Sequence, residues 1–338
     1  MAGYLVKTKN LNSYILEFYY SMNRVQYIDV MRGIAILLVV LQHCIGDLKE
    51  SVSVFVLSFH MPLFFFISGM CHKTACCYED TYGIVLKRAS RLLVPQCFMG
   101  LYTILLCVGK SLVFEKGETI LDIDFVGLLI GWFLPVLFVV EMVSLIIAPV
   151  FKNRSLLSIT TVIVGCVFCL CEVKKLVCVE QILGGLLFFL AGGVLRPVLD
   201  NFGTIKWGGA LFALLIILVA FLSAYNPPIG MYMNQYGSKP LFIITAILGI
   251  MAIAQLSTMV KVDNVLNWFG KRSLEVYVLH WGLIMAFRKL IELTIGDANS
   301  YPYYLISFLL SCLMIVPLVI IVNKFFPFTF GKFNLIKK

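Results

Sequence analysis

Within the apolar stretch 28–45 stand an arginine, Arg32, and, eleven residues on, a histidine, His43. Eleven residues of α-helix return to within about 20° of the same face and rise about 16 Å, so the two side chains share one face at different depths. Ionisable groups inside a membrane-length segment are costly and usually face a cavity or a partner rather than lipid. A guanidinium near one surface and an imidazole deep toward the other suit a long anionic molecule. Asp29 lies three residues before Arg32, near enough on a helix to pair with it.

Other segments carry groups of the same kind. SFHMPLFFFISG places His60 on the next, antiparallel span, roughly 9 Å below the outer surface by helical rise and so at a depth like that of His43. An imidazole with a pKa of about 6.5 can take a proton from a hydroxyl, the general-base role. The competing structural reading of His60 is a bond to a backbone carbonyl freed by Pro62. In KRASRLLVP, Arg88 and Arg91 stand on adjacent turns leading into the third span, with Lys87 beside them. Paired guanidinium forks match phosphate oxygens, although basic groups here also serve as membrane anchors. GWFLPVLFVVEM carries Trp132 and Glu141, and a mid-span glutamate requires a proton or a histidine or arginine partner. GKRSLEVYVLHW carries Glu275 close to the inner end of its span and His280 roughly 10 Å in from that end, lining the bundle interior.

The elements that must position these groups follow from composition. Of 338 residues, 61% are hydrophobic and only 13% charged, and the mean hydropathy is +0.96. That is far from a soluble domain and predicts an all-α, polytopic transmembrane helix bundle. Apolar runs of membrane length fall at 28–45, 54–70, 92–107, 125–149, 156–171, 182–198, 208–224, 241–260, 274–291 and 304–322, about ten spans. Of the 27 Lys and Arg residues, 18 then lie on the loops of the N-terminal side and 8 on the opposite side, Arg32 being the one left. By the positive-inside rule both termini are cytoplasmic. The net charge of +9 accordingly reads as topology and lipid-headgroup contact, not nucleic-acid binding.

The chain divides into an N-terminal cytoplasmic or interfacial segment 1–27, a membrane domain 28–325 and a basic cytoplasmic tail 326–338. No cleavable signal peptide is expected in the first segment, where apolar residues between 11 and 22 recur at helical spacing, as in an interfacial amphipathic helix. The eleven cysteines fall mostly in apolar spans or on the reducing side and read as small hydrophobes. Only His72 with Cys71, Cys76 and Cys77 has the makings of a metal cluster, and no second half-site follows it, so no metal is expected. The external loop 225–239, rich in Pro, Gly, Asn and Tyr, reads as a shaped turn or a set of interface anchors.

Five segments in order, IDVMRGIAILLVVLQH, FHMPLFFFISG, KRASRLLVP, WFLPVLFVVE and FGKRSLEVYVLHW, resemble the acyltransferase 3 family of integral membrane enzymes, most closely its fucose 4-O-acetylase-like branch. The resemblance runs from about residue 27 to 325. It implies transfer of an acyl group, usually acetyl from acetyl-CoA, to a sugar hydroxyl of a cell-surface polysaccharide or lipid-linked glycan, in a bacterial plasma membrane. No permanently bound cofactor is implied; acetyl-CoA or another short acyl-CoA is a co-substrate. The family's arginine and histidine pattern maps onto Arg32 and His43, and its RxxR pattern onto Arg88 and Arg91. His43 is then the catalytic histidine, assisted by His60 or Glu141. Arg32, Arg88 and Arg91, with Asp29, hold the donor, and Trp132 and His280 contact substrate. The rival readings are a glycan-precursor transporter, against which the lack of internal repeat symmetry counts, and a non-catalytic scaffold, which needs no deep histidines.

Overall fold

The computed structural model describes residues 26–46, 50–72, 81–114, 131–172, 178–227, 229–260, 265–296 and 300–332. Thirteen α-helices are found among them: α1 (Gln26–Ile45), α2 (Ser51–Leu57), α3 (His60–Met70), α4 (Thr81–Phe114), α5 (Phe133–Ile146), α6 (Ala148–Lys152), α7 (Arg154–Leu170), α8 (Val179–Leu199), α9 (Gly208–Ala224), α10 (Lys239–Met259), α11 (Val265–Lys271), α12 (Ser273–Ile295) and α13 (Tyr301–Phe325). No strand occurs among the described residues, where Gly230 and Gln235 form an isolated bridge. The described residues form the all-α bundle expected from composition. Without water to satisfy backbone groups, a chain this apolar must close its hydrogen bonds within helices.

Among the described residues, six helical segments are long and apolar enough to cross a membrane: α1, α2 with α3, most of α4, α8 with the turn after it, α10 and α13. The remaining four of the ten expected spans fall short of that standard among the described residues. α5, α7 and α9 are apolar but only 14, 17 and 17 residues long. α12 has 23 residues but carries Glu275, Arg288, Lys289 and Glu292. Large apolar side chains nevertheless point outward all along the bundle, such as Ile217 on α9 (65% exposed) and Leu313 on α13 (69% exposed), as a lipid-facing surface requires.

Two expected boundaries shift. The second span is broken at Ser58 and Phe59, where Pro62 supplies no N–H to the Ser58 carbonyl and its ring crowds the preceding turn. The third span begins at Thr81, so Arg88 and Arg91 lie on the second and third turns of a 34-residue helix rather than in a loop leading to it. The amphipathic segment 11–22 and two cysteines of the expected metal cluster, Cys76 and Cys77, lie outside the described residues.

Where helices must approach closely, glycine makes room. α3 packs on α8; a Cβ at Gly69 would lie 1.8 Å from the Phe189 carbonyl oxygen, and one at Gly192 2.1 Å from that of Phe66. Small residues at facing positions let backbones meet in lipid, where apolar burial alone gives helices little reason to associate. Arg196 of α8 adds a hydrogen bond to the Met70 carbonyl. The same device joins α1 to α11: a Cβ at Gly33 would lie 2.0 Å from the Leu266 carbonyl oxygen, and one at Gly270 1.7 Å from that of Asp29. That contact holds Asp29 and Arg32 against the start of α12.

Candidate active site

A cavity of about 820 Å³ opens at the Arg32 end of the bundle. α1, α3, α4, α5, the α11–α12 junction and the chain just beyond α13 form its walls. Arg32, Lys87, Arg91, Lys271 and Lys332 line it against two carboxylates, Asp29 and Glu275, so the wall carries a surplus of positive charge. Leu134, Leu137 and Ile67 supply an apolar side, and Phe64, Phe133, Tyr277 and Phe330 are the aromatic members of the lining.

Each cation is held in its own way. Arg32 donates to Asp29 Oδ1 at 3.2 Å and to Cys71 Sγ at 3.1 Å, yet keeps 31% of its side chain exposed. The expected Asp29 pairing is therefore present, and it aims the guanidinium without covering it. Arg91 donates to Glu141 Oε1 at 3.2 Å and remains 60% exposed. Arg88 points the other way: its Nε lies 3.6 Å from Glu141 Oε2, its Nη1 donates to the Glu141 carbonyl at 2.9 Å, and it does not line the cavity. Glu141 thus sits buried between two arginines. Its partner is an arginine pair rather than a histidine, and through Arg91 it braces a residue of the cavity lining. Behind it, Ser144 Oγ donates to the Glu141 carbonyl at 2.7 Å and lies 3.4 Å from His72 Nδ1. Burial, with the Arg88 charge nearby, pushes the His72 imidazole down to about 4.

His43 and His280 meet beyond Phe133 and Tyr277 of the wall. Tyr277 packs against Phe133 at 5.5 Å between ring centroids and against His280 at 5.8 Å. His280 in turn lies 5.1 Å from His43, and the His43 and Trp281 rings stand nearly perpendicular with centroids 5.0 Å apart. His280 Nδ1 is 2.6 Å from the Tyr277 carbonyl. A carbonyl only accepts, so Nδ1 carries the hydrogen and Nε2 is left as a buried lone pair with no partner among the described residues. His60 is fixed by the same logic, its Nδ1 donating at 2.9 Å to the Val56 carbonyl exposed by the α2–α3 break. The backbone bond expected for His60 exists, but to Val56 and not to the carbonyl that Pro62 frees. Trp132 packs edge-on against Phe133, at the aromatic wall rather than among the histidines.

The structure therefore brings Asp29, Arg32 and Arg91 into one cavity, sets Arg88 and Glu141 behind its wall, and places His43 with His280. Sequence reasoning passed over Lys271 and Lys332, taken as topology markers, and Tyr277, which links cavity and histidines. Lys271 could have been found from its place four residues before Glu275. Nothing local marks Lys332.

A family model described as an acyltransferase domain, that of the acyltransferase 3 family, matches residues 25–324. The chain belongs to this family. The match takes in both arginines of the RxxR pair, Arg32 and all four histidines of this multi-pass membrane acyltransferase, and stops short of Phe330–Lys332. No curated protein and no solved structure matched the chain.

Proposed function

We propose that the protein is a membrane O-acyltransferase that moves a short acyl group, acetyl in the first instance, from acyl-CoA to a sugar hydroxyl of a cell-surface or lipid-linked glycan, in the manner of the fucose 4-O-acetylase-like branch. The observation that carries this reading is the pairing of a cation-lined cavity of about 820 Å³ with a histidine cluster beyond it. The phosphates of CoA engage Arg32, Arg91 and their neighbours, while Arg88 and Glu141 lie behind that wall. The pantetheine arm extends inward along the α1 face, where three turns of helix separate Arg32 from His43 by about 16 Å. Passage of the arm requires Phe133 and Tyr277 to part, and Trp132, packed on Phe133, borders that route.

At His43 the acceptor oxygen attacks the thioester carbonyl. The C–O bond forms, the C–S bond breaks, and the hydroxyl proton passes to the imidazole and then to the departing CoA sulfur. His280, with its tautomer fixed and its Nε2 open, stands ready to orient the His43 ring, and His60 on the neighbouring α3 is the second candidate to assist it. The Arg32 end is the cytoplasmic face of a bacterial plasma membrane, where the basic loops gather and the donor is made.

Release of free CoA by detergent-purified protein, supplied with acetyl-CoA and a panel of glycans, tests the reading. Acceptor-dependent release is expected. Failure to release CoA with any donor and acceptor, from protein that is folded and monodisperse, would overturn it.

A further inference from the structure

Residues 330–332, shortly beyond α13, are built into the cavity wall. Pro327–Phe330 forms a 3₁₀ turn directly after α13, and Phe330 is 2% exposed. Gly331 has φ +68°, and a Cβ there would fall 2.1 Å from the Ser90 carbonyl oxygen. Left-handed backbone and so close an approach together admit only glycine. The chain is thereby threaded against α4 between Lys87 and Arg91, and it delivers the next residue, Lys332, to the cavity lining.

Lys332 Nζ lies 2.7 Å from Glu275 Oε1 and 2.6 Å from Asn323 Oδ1. An ammonium has three hydrogen-bond donors, so one remains, on a side chain 51% exposed. Glu275 is the opposite case, a carboxylate with only 6% of its side chain exposed, in the wall of a cavity otherwise suited to anions. Lys332 cancels that charge and keeps a donor for a ligand.

We propose that the hook Pro327–Lys332 is part of the donor site and that Lys332 binds a phosphate group of the nucleotide thioester, its ammonium shared between Glu275 and the phosphate. The inference rests on the acyl-CoA reading of the cavity given above. Removing Lys332 then acts twice on an anionic ligand, by deleting a cation and by uncovering a carboxylate. Removing the Glu275 charge instead frees the ammonium.

Titration of free CoA into the detergent-purified full chain, followed by calorimetry, distinguishes the roles. Lys332→Ala is expected to weaken CoA binding about tenfold or more, the usual worth of a charge-assisted hydrogen bond. Lys332→Gln, which keeps a donor for Glu275 and Asn323 but carries no charge, is expected to show the same loss and serves if the alanine variant does not fold. Glu275→Gln is expected to bind CoA as tightly as wild type or more tightly. Wild-type affinity in Lys332→Ala or Lys332→Gln would overturn the proposal. So would a Glu275→Gln variant weakened as much as Lys332→Ala, because a lysine that merely pins the hook makes both changes equivalent. If wild-type protein shows no saturable CoA binding, the acyl-CoA reading itself fails and takes this one with it; CoA binding with an indifferent Lys332 leaves that reading standing.

Discussion

Glu141→Gln should lower stability while sparing donor binding. The carboxylate is buried, 8% exposed, and faces Arg88 at 3.6 Å and Arg91 at 3.2 Å. At 3.6 Å and an effective dielectric constant of about 20, the Arg88 attraction is roughly 4–5 kcal/mol before the desolvation of both groups is subtracted. Taking one partner from a buried pair costs about 3–5 kcal/mol, because a charge is left uncompensated. Arg88 keeps its bond to the backbone carbonyl of residue 141 whatever side chain stands there. Its 16% exposure also admits some water. The expected loss is therefore about 2–3 kcal/mol, below the full figure for a buried pair. Arg91, at 60% exposure, contributes little to this sum, as solvent-exposed pairs are worth about 0–1 kcal/mol. Thermal melts in detergent should show Glu141→Gln several degrees below wild type and Arg91→Ala nearly unchanged. Calorimetric titration should show CoA affinity equal or improved in Glu141→Gln, since Arg91 is released toward the cavity. A variant that melts like wild type but has lost turnover would refute this account and return Glu141 to a catalytic role beside His43.

Three further outcomes follow from the same geometry. Arg91→Ala is expected to raise the KM for acyl-CoA about tenfold with kcat little changed, as removal of one charge-assisted contact to the donor should; a fall in kcat alone would speak against donor binding. His72, pushed down to about 4 from an ordinary value of about 6.5, takes up its proton more readily when unfolded. Its contribution to stability is intact above pH 6.5 and is lost as pH falls from there toward 4, so melts between pH 7 and pH 5 should fall more steeply in wild type than in His72→Asn. Gly192→Ala sets a methyl group 2.1 Å from the Phe66 carbonyl oxygen, and separating α3 from α8 should cost at least about 1–3 kcal/mol. Because α3 carries Phe64, Ile67 and Ser68 into the cavity wall, CoA affinity should fall with it, and an unaffected melt would show that the helices part freely.

The features legible in the sequence were the local ones. Asp29 and Arg32 are three residues apart, so helical geometry alone predicts their pairing, and it is present. The depths of Arg32 and His43 follow from one uninterrupted helix. The break near His60 was implicit in Pro62, although the carbonyl it exposes is that of Val56 and lies on the other side of the break. What was not legible depends on long-range packing. Glu141 meets Arg91 across 50 residues, and Lys332 meets Glu275 across 57; no periodicity encodes such partners. The approach of His280 to His43 likewise joins α12 to α1, helices far apart in the chain. Positive-inside counting marked Lys271 and Lys332 as topology signals, and a residue can satisfy that statistic while lining a site. The short α5 and charged α12 show why ten apolar runs do not translate into ten long, uncharged helices.

The central claim, acyl transfer at His43, is tested most directly by following radiolabelled acetyl from acetyl-CoA into a glycan acceptor, with wild type and His43→Ala purified side by side and CoA affinity measured on both. Label is expected in the wild-type product, none above background with His43→Ala, and CoA binding is expected to be retained by the variant. Transfer by His43→Ala at a rate near wild type would contradict it.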